Sequence, residues 1–250
     1  MKQLLKLECR KLFKRKSFYI CGGIMLVLLF LSMLTTNALI NLSPELGALL
    51  SVNGVDSMLT SLDSASFILI ISIVTVLAVS DDFDQNTIKN VYAKGYSRIG
   101  VYFSKMISAW FGATLLFIAV VLLAFLLGSA FFGVGTISAK AFGLIGGQFW
   151  VMLANVTMFA SIALMLRKVG GSIAICIVGT TFIGVILALI DVFIQIDGFT
   201  LTDYWVDGFL ISLMSFSVDG ERIAVCLIGA TLYLVLFFLL GMLVHKKRDV

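Results

Sequence analysis

Residue types that make or break bonds are scarce in this 250-residue chain. Its single histidine, His245, stands in a His-Lys-Lys-Arg run near the end of the sequence and reads as part of a charged tail, not as a general base. The four cysteines, Cys9, Cys21, Cys176 and Cys226, form no CxxC pair. They indicate neither a zinc site nor a disulfide framework. No GxSxG is present to carry a nucleophilic serine on a strand-to-helix turn. No lysine follows a glycine anywhere, so the GxxxxGK[ST] loop that cradles the phosphates of ATP is excluded. The chain therefore reads as a non-enzyme that binds no cofactor or metal of its own.

The elements that would hold such groups explain the scarcity. Hydrophobic residues make up 60% of the chain and charged residues 13%, with a mean hydropathy of +1.10. A soluble domain carries roughly a quarter charged residues. A bilayer core of about 30 Å needs roughly 20 apolar helical residues. Six stretches qualify: Phe18–Ile40, Leu62–Val79, Val101–Leu127, Ala141–Leu166, Gly170–Ile194 and Ile223–Val244. The expected fold is a single all-α integral membrane domain over residues 1–250, with six transmembrane helices. The first run is too long for a signal peptide and lacks a clear cleavage site.

Proton- or sodium-coupled carriers keep ionisable residues at mid-membrane, and these spans hold almost none. Asp191 lies near one end of the fifth and Lys105 near one end of the third. Asn155, near the centre of the fourth, is the one strongly polar interior group. It supplies either an interhelical hydrogen bond or part of a translocation path or dimer seam. Gly143 and Gly147 form a weak GxxxG at the start of the same span.

Basic residues set the expected orientation. With the N-terminus inside, all but Lys140 and Arg222 of the 18 lysines and arginines fall on the cytosolic side. Both ends are then cytosolic, and the protein is a multi-pass component of the cytoplasmic membrane. The net charge of +4 does not indicate nucleic acid, because the basic residues sit beside hydrophobic ends. Anionic lipid headgroups are the expected partner.

Three segments outside the spans carry information. Residues 1–17 read as an amphipathic interfacial helix, with Leu5, Cys9, Leu12 and Phe13 on one face and Arg10, Lys11, Lys14 and Arg15 toward the phosphates. Leu4 and Leu7 break this pattern. Residues 80–98 predict a short cytosolic helix between spans two and three. Asp81, Asp82 and Asp84 are placed at its N-terminus, Lys89 and Lys94 near its end, and Gly95 as its left-handed stop. Thr87, Ile88, Val91 and Tyr92 share one face. Residues 195–222 are too long for a plain connection and predict short re-entrant or outer helices. The first outer loop, Asn41–Ser61, holds Pro44 and looks less structured.

The stretch Asp84, Asn86-Thr87-Ile88-Lys89, Ser97-Arg98 and Lys105 resembles the permease subunits of ABC-2 type ABC transporters. The basic N-terminal helix, the six-span plan and the elaborated last outer loop match that resemblance over the whole chain. Asp84 stands where glutamate is commoner in the family. The resemblance implies two permeases, as a homodimer, each docking a cytosolic ABC ATPase that carries the ATP and magnesium. It implies that Asp84, Thr87, Ile88, Val91 and Tyr92 form the ATPase-coupling helix, with Arg98 and Lys105 anchoring it near the headgroups beside Arg10, Lys11, Lys14 and Arg15. Small permeases of this kind resemble exporters of antimicrobial or amphipathic peptides that confer antibiotic resistance. A stand-alone channel or secondary carrier, or a non-transporting immunity or anchor protein, are the alternatives.

Overall fold

A computed structural model describes residues 2–42, 53–62, 65–85, 87–194 and 200–247. Pro44, Asn86 and residues 195–199 lie outside these. Among the described residues all regular structure is helical. In an apolar solvent a chain has no water to bond its backbone, so long apolar runs close their hydrogen bonds internally as helices.

In chain order the helices are α1 (Lys2–Lys14), α2 (Lys16–Leu42), α3 (Gly54–Leu59), α4 (Ala65–Asp84), α5 (Ile88–Ala93), α6 (Arg98–Phe132), α7 (Ala139–Leu166), α8 (Val169–Ile177), α9 (Ile183–Ile194), α10 (Val206–Ser212) and α11 (Gly220–Lys247). A π-helical turn, Val178–Phe182, joins α8 to α9 without breaking the rod. Five rods are long and apolar enough to cross a membrane: α2, α6, α7, α8–α9 and α11. The 20-residue α4 packs among them, against α2, α6, α7 and α8.

The central helix is α7, whose Val151, Met152, Val156, Phe159 and Leu164 are buried. It is flanked by α4, α6 and α11, while α2 and α8–α9 present mostly exposed apolar faces such as Val27, Leu31, Val185 and Leu189. Exposed apolar surface on this scale belongs against lipid tails.

Two helix boundaries differ from expectation. The second apolar helix runs on through Asp81, Asp82 and Asp84, which form its last turn and not the first turn of the helix that follows. Carboxylates at a helix C-terminus oppose the macrodipole. Here they are tolerated because cations meet Asp81 and Asp82 from two other helices, as described below. The third rod begins three residues early, at Arg98, where Ser97 Oγ accepts the Gly100 N–H at 3.1 Å as an N-cap.

The π turn was not legible in the apolar pattern. Thr180 and Thr181 donate their hydroxyls back to the Cys176 and Ile177 carbonyls. Such back-bonding bends or loosens the ladder.

The first helix α1, α5 and the C-terminal turns of α4 and α11 meet at one end of the bundle, here the terminal end. At the far end α3 packs on α6 and α7, and α10 on α7 and α11. Short helices were expected in residues 195–222. A 3-10 turn, Thr202–Tyr204, and α10 are what stand there, with Val206, Phe209 and Leu210 buried. Gln148 of α7 ties both far-end helices down, donating to the Leu59 carbonyl at 2.9 Å and the Leu213 carbonyl at 3.1 Å. Asp191 accepts from the Leu201 N–H at 2.7 Å and the Thr202 N–H at 2.9 Å, fastening the 3-10 turn to α9. Gly54 allows α3 to seat on α6, since a Cβ there would stand 2.3 Å from Ser129 Oγ.

Candidate functional site

The strongest concentration of charge lies inside the terminal end. Lys105, in the second turn of α6, is 1% exposed. A buried ammonium persists only if paired and hydrogen-bonded, and its Nζ donates to Asp82 Oδ2 at 2.6 Å and lies 3.6 Å from Glu8 Oε2. Lys11 of α1 donates to both Asp82 oxygens at 3.1 and 3.0 Å and lies 3.4 Å from Glu8 Oε1. Arg15 lies 3.4 Å from Asp81 Oδ2 and donates to the Leu77 carbonyl. Three acids and three bases from α1, α4 and α6 thus close a neutral network.

Burial alone would push the Asp82 carboxyl up. Lys105 and then Lys11 outweigh it and hold the group down at about 2. An aromatic layer abuts the network: the Lys105 ammonium sits 5.7 Å from the Phe83 ring centre and the Arg167 guanidinium 5.5 Å from it.

From this network the chain passes straight into α5. Thr87, just before that helix, donates its hydroxyl to the Asp82 carbonyl at 3.2 Å. Ile88 is 3% exposed and faces the bundle, Val91 and Tyr92 are half-buried, and the Tyr92 hydroxyl meets His245 Nε2 at 3.2 Å. Gly95 closes the helix at φ +82°, with its N–H on the Tyr92 carbonyl. The outward side carries Lys89, Asn90, Ala93 and Lys94. Between α5 and α1 runs a groove of ≈ 210 Å³, lined by Leu4, Leu7, Lys11, Asn90, Val91 and Lys94.

The sequence profile described as "ABC-2 family transporter protein" matches residues 4–184, which include every member of this network. The chain belongs to the ABC-2 transporter family. An uncharacterized protein of Bacillus subtilis (strain 168), YhcI, is 28% identical over 220 residues, covering 75% of this chain and 67% of the relative. As a family member the chain is a multi-pass membrane component of a transport system, not itself catalytic.

Several residues of this ABC-2 protein stand elsewhere than expected. Arg10 and Lys14 are exposed on α1, but Lys11 and Arg15 point inward to Asp82 and Asp81, and Lys105 is engulfed by carboxylates instead of reaching headgroups. The buried stripe of α1 is Leu4, Glu8 and Leu12; of the expected face Leu12 is buried, while Leu5 and Cys9 are half-buried and Phe13 is exposed. Arg98 is half-buried, 3.4 Å from the Lys246 carbonyl. Thr87 is exposed, whereas Ile88 is shielded beneath α5, so a partner approaching that helix meets its polar side. Asp84 lies in the last turn of α4. His245 is 2% exposed and packs edge-on to Phe83, unlike a solvated tail residue. Asn155 accepts from Ser72 Oγ at 2.9 Å, an interhelical bond between α7 and α4.

Sequence reasoning missed Glu8. Its signal was faint but present: a lone acid among bases, four residues from Leu4 and four from Leu12.

Proposed function

We propose that this chain is the permease subunit of an ATP-driven exporter in the cytoplasmic membrane, crossing it six times with both termini in the cytosol. In this reading it forms a homodimer, and each copy engages a separate ABC ATPase that supplies the ATP and magnesium. The cargo is an amphipathic peptide or a similar hydrophobic compound, moved outward.

The observation that carries the reading is the seating of α5. Its inner side is fixed to the bundle by Ile88 and Tyr92, and its root is held by Asp82. Its outer side and the adjoining groove present Lys89, Asn90, Lys94, Leu4 and Leu7. A push on such a helix passes directly into α4 and, through Asp82–Lys105, into α6. A partner with an apolar ridge and an acidic rim fits the groove.

Coexpression with ABC ATPases taken from the same genome tests this. Wild type is expected to copurify with one such ATPase and to export a dye-labelled amphipathic peptide on ATP addition. The double variant Lys89→Glu/Lys94→Glu alters two exposed positions and is expected to fold normally but to bind the ATPase about tenfold more weakly, as reversed rim charges do. Full ATP-driven export by that variant overturns the docking role. Labelling of Asn90→Cys from outside intact cells overturns the orientation.

A further inference from the structure

The far end holds a carboxylate that the fold does not explain. Asp207 opens α10, and its Oδ1 is shut off from solvent with no hydrogen-bond partner. It stands on the wall of a groove of ≈ 270 Å³ between α10 and the π turn, lined also by Ile68, Thr180, Val185, Trp205 and Ile211. Asp207 also lines a void of ≈ 10 Å³ together with Met152 and Asn155. Among the described residues no lysine, arginine or histidine lines either space. Arg222, near the same end, is engaged by Asp203 at 3.4 Å and Ser212 at 3.2 Å. Burial pushes the Asp207 carboxyl up to about 6, against a weaker pull from Trp205.

An ionised carboxylate in such surroundings is costly unless a counter-charge reaches it. A neutral apolar guest would fill the groove and leave that cost in place. An anion would raise it. A guest with one positive nitrogen on a slender apolar body removes it, through a charge-assisted hydrogen bond and the burial of the body against Ile68, Val185 and Ile211. In this wall the Thr180 and Thr181 hydroxyls are spent on their own helix and the Thr202 hydroxyl on Asp191, leaving Asp207 as the charged group able to orient a guest.

We propose that this groove is a binding site for amphiphilic amines, with the Asp207 carboxylate taking the cationic nitrogen and the groove taking the apolar chain. The assignment rests on the export reading in so far as it names a substrate class for that exporter. Asp207 lies beyond residue 184, outside the segment matched by the family profile.

The test is binding by the full-length chain in phosphatidylcholine nanodiscs, without ATP or ATPase, measured by calorimetry against empty nanodiscs. The probes are octylamine, 1-octanol and octanoate, which share a chain and differ in charge. Octylamine is expected to saturate a site that the other two fill about tenfold more weakly or worse. Asp207→Asn is expected to reduce octylamine binding to the octanol level. Gly184→Leu, where an added Cβ meets nothing within 4 Å, is expected to fill the groove and weaken octylamine and octanol alike. Octylamine affinity unchanged in Asp207→Asn, or octanoate binding that matches octylamine, overturns the proposal. ATP-driven export retained without amine binding sinks the site alone, whereas saturable amine binding with no response to any ATPase sinks the export reading alone.

Discussion

The two ends of the bundle are fastened by different chemistry. At the terminal end α1, α4 and α6 meet through full charges: Glu8, Lys11, Arg15, Asp81, Asp82 and Lys105. At the far end α3 and α10 are tied by a neutral amide, Gln148, which donates to their backbone carbonyls, and the half-buried carboxylate of Asp207 has an unpaired oxygen. A paired ionic network costs several kcal/mol to open by removing one member and holds its helices in one arrangement. Single hydrogen bonds between helices in a membrane are worth about 0.6 kcal/mol and yield to small forces. The terminal end is thus built to move as one piece and the far end to rearrange.

Removing Lys105 strains this comparison most. Lys105→Met leaves Asp82 and Glu8 short of a counter-charge and is expected to cost about 3–5 kcal/mol, read as a lowered melting midpoint in detergent. Adding Asp82→Asn restores neutrality and is expected to recover much of the loss. A single variant as stable as wild type would remove the ionic end as a structural unit.

The two carboxylates also predict opposite pH responses. Asp82 is held down at about 2, so its contribution is intact at neutral pH and fades only as pH falls from about 4 toward 2. Asp207 is pushed up to about 6, so the folded state binds the proton more tightly than the unfolded one, and stability falls as pH rises from about 4 through 6. Asp207→Asn is expected to abolish that slope and to stabilise the chain at pH 7.5 by about 1–3 kcal/mol. Hydrogen exchange compared between α10 and α1 at pH 5 and 7.5 localises the effect, and equal changes at both ends would contradict it.

Smaller effects sharpen the picture. Gln148→Leu frees the Leu59 and Leu213 carbonyls at once and is expected to cost about 1 kcal/mol, with faster exchange in α3 and α10 together. Faster exchange in only one of them would show that Gln148 does not couple the two. Asn155→Leu should cost about 0.6 kcal/mol, the worth of its bond from Ser72. A loss of export far beyond that cost would place Asn155 on the cargo's path.

Much of this architecture was legible because apolar length acts over twenty residues at a time. The interior of the terminal end was not, for local reasons. Two stripes compete on α1, Leu5–Cys9–Phe13 and Leu4–Glu8–Leu12, one residue or about 100° apart, and hydropathy favours the one without a glutamate. The Asp81–Asp84 turn reads as a helix start by its charge alone. Only the cations from α1 and α6 make it a helix end. Lys11 and Lys105 were taken for solvated anchors because nothing local announces a partner 71 or 23 residues away. Gln148 and Asp207 act through contacts with backbone and cavity, which leave no periodic trace.

The 35 residues of α6 span about 50 Å at 1.5 Å each, with Lys105 of the ionic network toward one tip and Ser129 beneath α3 toward the other. The chain's single proline lies elsewhere, at Pro44, so no proline bends this rod. A straight beam of that length turns a tilt of about 5° at one tip into a sweep of roughly 4 Å at the other. That is about three quarters of a helical turn, enough to lift a six-residue helix off its seat without unwinding a single hydrogen bond along the way.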